Sequence, residues 1–388
     1  MDPDCDLDRG GSYTKETAKE FTLRRLHLTP DTLGEEERDV RPIIGDTGGL
    51  QYGGHNIELL NRFREYNPAW LEGLLEENRV MEGHVLRGAL RMVTVEDYPH
   101  YFKATRVVAR RRRYQNCPET LDDIHHEAQR YLIEHGPWTL SEFRDKFGEE
   151  HPELTPVARR LVTDLYNHGE VVRVGRRSNK PLFHATVRFP RDLEMDRVSE
   201  VDAMEWLFLR CLATYGPFTI REVAHWVGWN LTETRETARR LLDDGRVLKV
   251  DIEGDTQTNY LRSVDLPFLE SLRGDLPDYS FIRVLYNDDS LLLGCYRRLS
   301  SYFGYAWSYP QLRRGDVLRP AVLKGRELIG EASVENLSKS DKYRVRRLTI
   351  REKFRDPETI SLIEEEFTRH AEFHGKTLEM SRPELYKG

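Results

Sequence analysis

The sequence has few cysteines and no long apolar run, and both shortages exclude classes of protein. Its 388 residues include four cysteines, spread along the chain with no Cys-x-x-Cys pair, which disfavours a structural zinc site or a disulfide framework. The longest near-apolar run, MEWLFLRCL, contains Glu and Arg and is shorter than the roughly 20 residues of a membrane span. The first residues, MDPDCDLD, lack the apolar region of a secretory signal. We therefore expect a cytoplasmic protein with reduced thiols.

Charge and motif content exclude further classes. The 59 Lys and Arg residues against 66 Asp and Glu give a net charge of −7, so a uniformly basic nucleic-acid coat is excluded, although local basic patches are not. The sequence contains no HExxH, P-loop, GxGxxG or GxSxG motif, and we expect neither a metal nor a cofactor. The length suggests roughly two to four domains.

The clearest pattern is an internal repeat. Residues 131–143 (YLIEHGPWTLSEF) and 211–223 (CLATYGPFTIREV) share a helix end, a Gly-Pro-aromatic-Thr turn and a new helix start. Gly136 and Gly216 suit left-handed positions that end a helix. The predicted capping boxes are Thr139 with Glu142 and Thr219 with Glu222. A third amphipathic segment and a β-rich stretch follow in each copy, which predicts two winged helix–turn–helix units, at about 125–190 and 198–264.

These patterns predict a mainly α fold with β structure (α+β), in which tandem winged helices precede a small β-barrel or curled sheet and a C-terminal helix. A strand pair is expected within 85–95, and a hairpin turn at Lys324-Gly325. The predicted divisions are an acidic tail (1–14), a helical or winged-helix-like domain (15–124), two winged helices (125–197 and 198–275), a barrel domain with its closing helix (276–376) and a tail (377–388).

Basic residues concentrate in three segments. They are Lys103 with Arg110, Arg111, Arg112 and Arg113; Arg176 and Arg177 in the predicted first wing; and Arg344 and Arg346 on predicted barrel strands. Each cluster could follow a phosphate backbone. The first cluster could equally be a solvated helix end that the helix dipole favours.

Four segments together resemble a known family. They are TGGLQYGGHNIELLNRF, VLRGALRMVTVEDY, LYNDDSLLLGCYRRLSSYFGYAW and LRPAVLKGRELIGE. In their order along residues 15–375 they resemble the bacterial interstrand-crosslink DNA glycosylases of the YcaQ/AlkZ type. The resemblance implies a C-shaped fold around duplex DNA and hydrolysis of the N-glycosidic bond of N7-alkylated or crosslinked purines.

The resemblance also implies site residues. The family motif is Gln-x-Gln or Gln-x-Asp, and here it corresponds to Gln51-Tyr52-Gly53, so its second side chain is missing. Gln51 would orient the attacking water, with His55 as a possible helper and Asp289 as the acid on the barrel side. The family's Arg-Gly-Thr-Leu-His corresponds to residues 87–91, whose Arg87 and Arg91 would contact DNA.

Two functions remain open at this stage. One is a monofunctional, hydrolytic DNA glycosylase; the other is a non-catalytic winged-helix DNA-binding protein, such as a lesion sensor or regulator. A winged-helix transcription factor unrelated to the enzymes is disfavoured, because the resemblance extends along most of the chain. In either case the expected partner is double-stranded DNA with alkylated or crosslinked bases, bound by a monomer that associates with the nucleoid.

Overall fold

The computed structural model describes residues 9–34, 39–112, 118–189, 193, 195–306, 317–335, 341–381 and 384–385. For 9–10, 107–112, 317 and 384–385 it describes the backbone alone.

The helices are distributed along the whole described chain. They are α1 (Lys15–Arg25), α2 (Arg41–Asp46), α3 (His55–Leu60), α4 (Pro68–Glu76), α5 (Tyr98–Arg112), α6 (Asp123–His135), α7 (Leu140–Glu150), α8 (Ala158–His168), α9 (Glu200–Tyr215), α10 (Ile220–Val227), α11 (Leu231–Asp243), α12 (Leu266–Ser271), α13 (Ser290–Gly294), α14 (Leu299–Phe303) and α15 (Pro357–Phe373). Within the described residues, none of them is long and apolar enough to cross a membrane.

The strands in the described part of the chain form four separate sheets. They are β1 (Arg9–Tyr13), β2 (Leu50–Gln51), β3 (Val80–His84), β4 (Leu90–Thr94), β5 (Val171–Arg177), β6 (Lys180–Ala185), β7 (Phe218–Thr219), β8 (Val247–Ile252), β9 (Asn259–Arg262), β10 (Ile282–Leu285), β11 (Val317–Leu318), β12 (Ala321–Lys324), β13 (Glu327–Glu335), β14 (Lys342–Ile350), β15 (Thr377–Met380) and β16 (Glu384–Leu385). Sheet orders are β2-β4-β3, β5-β6, β1-β8-β9-β7 and β10-β12-β13-β14-β15, with β11 on β13 and β16 on β14.

The two repeats have the same order of elements. Each has three helices followed by an antiparallel strand pair: α6, α7, α8, β5 and β6 in the first, and α9, α10, α11, β8 and β9 in the second. Both predicted capping boxes are present, at Thr139 and Thr219. The prediction for the two glycines is wrong: Gly136 (φ −65°) and Gly216 (φ −52°) have negative φ and are not left-handed. Each precedes a proline, which disfavours helical conformations in the residue before it.

The C-terminal sheet is curled and open rather than a closed barrel. Among the described strands, β10 and β15 lie at opposite ends of the pairing order and do not bond to one another. The predicted hairpin at Lys324-Gly325 is present, since β12 and β13 pair antiparallel from Lys324 to Glu327. α15 packs on this sheet and buries Ile363 and Phe367. The apolar face of the sheet is therefore covered by α15 and not by closure of the sheet into a barrel.

Each predicted tail contributes at least one strand to a sheet. β1 pairs parallel to β8 of the second repeat, and Tyr13 is buried against it. β15 and β16 extend the C-terminal sheet by pairing with β14. A strand with an unpaired edge offers backbone hydrogen-bonding groups that another segment can satisfy, and short terminal segments fill that role here.

The hydrophobic core is shared unequally between the repeats. The first repeat has its own core, which includes Leu132, Phe147 and Val162. The second repeat packs in one large core with α1 and with residues of the C-terminal part, for example Phe21 and Leu291. The second repeat therefore holds together the N-terminal and C-terminal thirds of the chain.

Candidate active site

A cavity of about 370 Å³ lies where three parts of the chain meet. Its lining residues are Gln51, Arg87, Ala89, His225, Asp288, Leu293 and Tyr296. They come from the N-terminal sheet, the second repeat and the segment around α13. The volume is within the range of about 300–1,000 Å³ that is usual for small-molecule sites.

Gln51 is held at the edge of this cavity by a short strand. β2 pairs antiparallel with β4, which places Gln51 opposite Arg91. The Tyr52 amide continues the pairing by donating to the Leu90 carbonyl at 3.0 Å. Because the backbone on both sides of Gln51 is fixed by the sheet, its amide side chain is presented to the cavity from a rigid base.

The turn after Gln51 depends on two glycines. Gly53 has φ +106°, which side chains rarely tolerate. At Gly54 an added Cβ would lie 2.9 Å from the Cβ of Asp288. The turn that carries the predicted motif therefore packs directly against Asp288, at a distance that only glycine permits.

Arg87 enters the cavity from a strained backbone position. It has φ 54° and ψ 21°, a left-handed conformation that is uncommon for a residue other than glycine. Its Nη1 lies 3.2 Å from Nε2 of His225, and the His225 ring stacks on Tyr296 with centroids 6.2 Å apart. Backbone strain of this kind is found preferentially at functional sites, which agrees with the position of Arg87 in the cavity wall.

Asp289, the acid expected from the resemblance, is buried beneath the cavity wall instead of lining it. It is 2% exposed and caps α13 by accepting from the Leu291 amide at 2.8 Å. Its carboxylate also pairs with Arg62 at 2.8 and 3.1 Å. The helix cap and the ion pair are both structural contacts, and they oppose the predicted site role of Asp289. The acid that lines the cavity is the preceding residue, Asp288.

A second buried carboxyl group completes this ion cluster. Glu58 accepts from the Ser290 amide at 3.0 Å and lies 3.4 Å from Arg62. Its pKa is raised to about 7, chiefly by burial; Arg62 opposes this shift, and the nearby Asp289 adds to it. The Arg62 guanidinium thus lies between two carboxyl groups, and it donates two hydrogen bonds to Asp289. Sequence reasoning missed Glu58 because its neighbours come from residues 62 and 289–290.

His55 lies at the start of α3, outside the residues that line the cavity. Its Nδ1 accepts from the Gly53 amide at 3.3 Å, and its ring stacks on Tyr52 at 5.7 Å. Burial, aided by Arg176, lowers its pKa to about 4 against the opposing effect of Glu82. The ring is therefore neutral at pH 7, and its contacts are those of a residue that closes the turn.

Arg91 does not reach the surface. It is 1% exposed and donates to the Gly49 carbonyl at 2.6 Å. This burial opposes the predicted DNA contact. The side chain instead fixes the backbone that leads into β2.

Four of the predicted basic residues are bound to carboxylates. Arg176 donates to both oxygens of Glu82, at 2.6 and 2.8 Å, and its guanidinium lies 4.1 Å from the Tyr52 ring centroid. The other pairs are Arg177 with Glu142, Arg344 with Glu335 and Glu379, and Arg346 with Glu335. Lys103 is half-buried on α5, the side chains of Arg110, Arg111 and Arg112 lie outside the described atoms, and Arg113 lies outside the described residues.

A second, polar cavity of about 220 Å³ is lined by residues close in sequence to those of the first. Its lining includes Arg221, one helical turn before His225, and Arg297, the residue after Tyr296. Both arginines are exposed and make no ion pair within the described part of the chain. Sequence reasoning missed all four residues, although Arg221 and His225 share the polar face of amphipathic α10 at i, i+4 spacing.

No group of three or more His, Cys, Asp or Glu residues that could hold a metal is found in the part of the chain that the structure describes. The chemistry available at the cavity is that of an amide, a carboxylate, a guanidinium, an imidazole and an exposed aromatic ring.

Comparisons with known proteins agree with the resemblance. A family model described as DNA glycosylase AlkZ-like matches residues 44–373. Among solved structures, the Streptomyces sahachiroi DNA glycosylase AlkZ has the same fold, with a TM-score of 0.70 and 16% identity over 95% of this chain and 100% of that one. No curated protein matches the sequence. Since the family model spans most of the chain, the protein belongs to the AlkZ-like DNA glycosylase family.

Proposed function

We propose that this protein is a monofunctional DNA glycosylase that hydrolyses the N-glycosidic bond of N7-alkylated purines, including crosslinked ones, in duplex DNA. The observation that carries the proposal is the cavity that brings Gln51 together with Arg87, His225, Asp288 and Tyr296. Family membership supports the reaction class. The presence of a formed cavity favours an enzyme over a non-catalytic DNA-binding protein.

The chemistry required is modest. An N7-alkylpurine carries a positive charge, so the base is already an activated leaving group and no strong general acid is needed. The enzyme must hold a water molecule near C1′ and stabilise a cationic sugar. The Gln51 amide is suited to orienting such a water molecule, because it can both donate and accept a hydrogen bond.

The aromatic part of the cavity suits the base. Tyr296 is 43% exposed, which is unusual for a large ring, and it is stacked with His225 at the cavity wall. Glycosylases take a damaged base out of the helix and read it partly by stacking. We assign Tyr296 and His225 as the surface that receives the purine ring.

Phosphate contacts would come from α10 of the second repeat and from the α13–α14 segment. Arg221 and Arg297 are exposed cations beside the cavity, whereas Arg176, Arg177, Arg344 and Arg346 are already paired with carboxylates. A DNA phosphate would have to compete with carboxylates for the four paired arginines. It would meet no such competition at Arg221 or Arg297. We therefore infer that DNA lies along the face formed by α10 and the α13–α14 segment.

Duplex DNA with a single 7-methylguanine tests the proposed activity. The protein is incubated with the duplex, and alkali then converts abasic sites into strand breaks. We expect breaks with the wild-type protein, about 100-fold slower formation with Gln51→Ala, and no loss with Gln129→Ala, whose amide binds Glu170 in the first repeat. Binding without breaks by the wild-type protein would instead identify a non-catalytic DNA-binding protein.

A further inference from the structure

We propose that Asp288 supplies the catalytic carboxylate that the Gln-x-Gly motif of this chain lacks. The inference rests on the proposed glycosylase function. Position 53, where the family motif has a side chain that could assist the water molecule, is Gly53, and an added Cβ there would have no atom within 4 Å. The motif itself therefore places no second functional group in the cavity.

Asp288 lies where it can take over that part. It lines the same cavity as Gln51, although it is more than two hundred residues away in sequence. Its Cβ would be 2.9 Å from a Cβ on Gly54, which places its side chain against the turn that follows Gln51. The carboxylate is thus brought to the motif from the opposite wall, and the two glycines of the turn leave room for it.

The burial pattern distinguishes Asp288 from its neighbours. Residues 284–287 and 289–292 are all buried, and only Asp288 in this segment is partly exposed. Asp289 holds the segment in place through its α13 cap and its ion pair with Arg62. An anchored segment that exposes one carboxylate to a cavity has the rigidity that a catalytic group requires.

Asp288 is the carboxylate among the lining residues of the cavity. Arg87 and His225 face the cavity with it, and the cationic sugar would form within the same space. In the proposed step, the water oxygen bonds to C1′ while the bond from C1′ to the base nitrogen breaks. The electron pair of that bond neutralises the positive charge of the N7-alkylpurine, and the proton of the water passes to the Asp288 carboxylate and then to solvent. Gln51 orients the water molecule, and Asp288 acts as the base.

The test compares variants of the full-length protein on a 7-methylguanine duplex under single-turnover conditions. Asp288→Asn and Asp288→Ala are expected to release base at least about 100-fold more slowly, as for loss of a general base, while Asp288→Glu retains part of the rate. The matched control is Asp278→Asn, an exposed acid upstream of β10, which is expected to keep the wild-type rate. Binding of the duplex by each variant verifies folding.

Added formate separates a catalytic from a merely structural carboxylate. A small carboxylate can enter the space opened in Asp288→Ala, and we expect it to restore base release at least tenfold with saturation, while leaving Gln51→Ala unaffected. Wild-type rates for Asp288→Asn, or a slow Asp288→Ala that formate does not rescue, would overturn the role of Asp288 and leave the glycosylase function intact. A wild-type protein that releases no base would overturn both.

Discussion

At the residue scale, the cavity is lined by side chains from distant parts of the sequence, such as Gln51 on β2, His225 on α10 and Asp288 before α13. Gln51 was predicted from the resemblance and does line the cavity. Asp289, the acid predicted from the resemblance, is buried and bound by Arg62, 227 residues earlier in the chain, whereas its neighbour Asp288 lines the cavity. Ionic partners so far apart in sequence leave no local pattern, whereas a capping box or a glycine turn does.

Placing a carboxylate at position 53, as in the family motif, should not increase the rate of base release. Gly53→Asp would place a side chain at φ +106°, and such conformations cost about 1–3 kcal/mol. We expect a lower free energy of unfolding in urea and no gain in the rate of base release. Gly73→Ala, in the middle of α4 where an added Cβ meets no atom within 4 Å, is the control and should be stabilising by about 0.5–1 kcal/mol. A Gly53→Asp protein that is both stable and faster would contradict this explanation of the turn.

Glu58 predicts an unusual dependence of stability on pH. Its pKa is raised from 4.5 to about 7 by burial, so between these values the folded protein holds a proton that the unfolded chain has lost. This contribution to stability is therefore complete below pH 4.5 and declines as pH rises to about 7.

Glu58→Gln should remove that decline, because the amide resembles the protonated carboxyl group at every pH. Urea unfolding at pH 5, 6, 7 and 8 is expected to show the variant gaining stability relative to the wild type as pH rises. The exposed Glu119→Gln is the control. A difference between Glu58→Gln and wild type that does not change with pH would rule out a raised Glu58 pKa.

At the element scale, the helices and their capping boxes were predicted correctly because they depend on residues close together in sequence. The repeated helices and both capping boxes follow from spacing and hydrogen-bonding residues within four positions. β1 and β15 were assigned to tails because short strands are fixed by distant edges, here β8 and β14. The barrel was predicted from β-rich composition, which indicates strands but not whether their sheet closes.

The hairpin of the first repeat should stabilise the motif turn. Arg176 on β5 binds Glu82 on β3 through two hydrogen bonds and covers the Tyr52 ring. Arg176→Met leaves the buried Glu82 without this partner, which should lower the free energy of unfolding by about 1–3 kcal/mol and slow base release. Arg177→Met breaks a more exposed pair with Glu142 and should cost less than about 1 kcal/mol. An equal decrease in the free energy of unfolding for the two variants, measured in urea, would show that the β3–β5 contact stabilises the protein no more than the exposed pair does.

At the scale of the whole molecule, the sequence combines a net charge of −7 with three segments in which basic residues cluster. The fold instead pairs many of the predicted basic residues with carboxylates from other segments, such as Arg176 with Glu82, 94 residues away. Sequence clusters of one sign are therefore a weak guide to the surface charge. Two exposed cations near the cavity, Arg221 on α10 and Arg297 between α13 and α14, lie outside the three basic segments of the sequence.

DNA binding at different salt concentrations tests this surface. Each phosphate contact contributes a slope of about −0.9 to the dependence of log affinity on log salt concentration. Arg221→Ala with Arg297→Ala should therefore reduce the magnitude of the slope by about 2, whereas Arg344→Ala, which removes a cation already paired with Glu335 and Glu379, should leave it nearly unchanged. The reverse result would move the DNA to the C-terminal sheet.

The most direct measurement is mass spectrometry of a single turnover in ¹⁸O-labelled water, with a duplex containing 7-methylguanine. A hydrolytic glycosylase should yield free 7-methylguanine and an abasic sugar that carries one ¹⁸O atom at C1′, and Gln51→Ala should yield about 100-fold less of both in the same time. An intact substrate after binding by the wild-type protein, or base release that is unaffected by Gln51→Ala, would contradict a glycosylase site at this cavity.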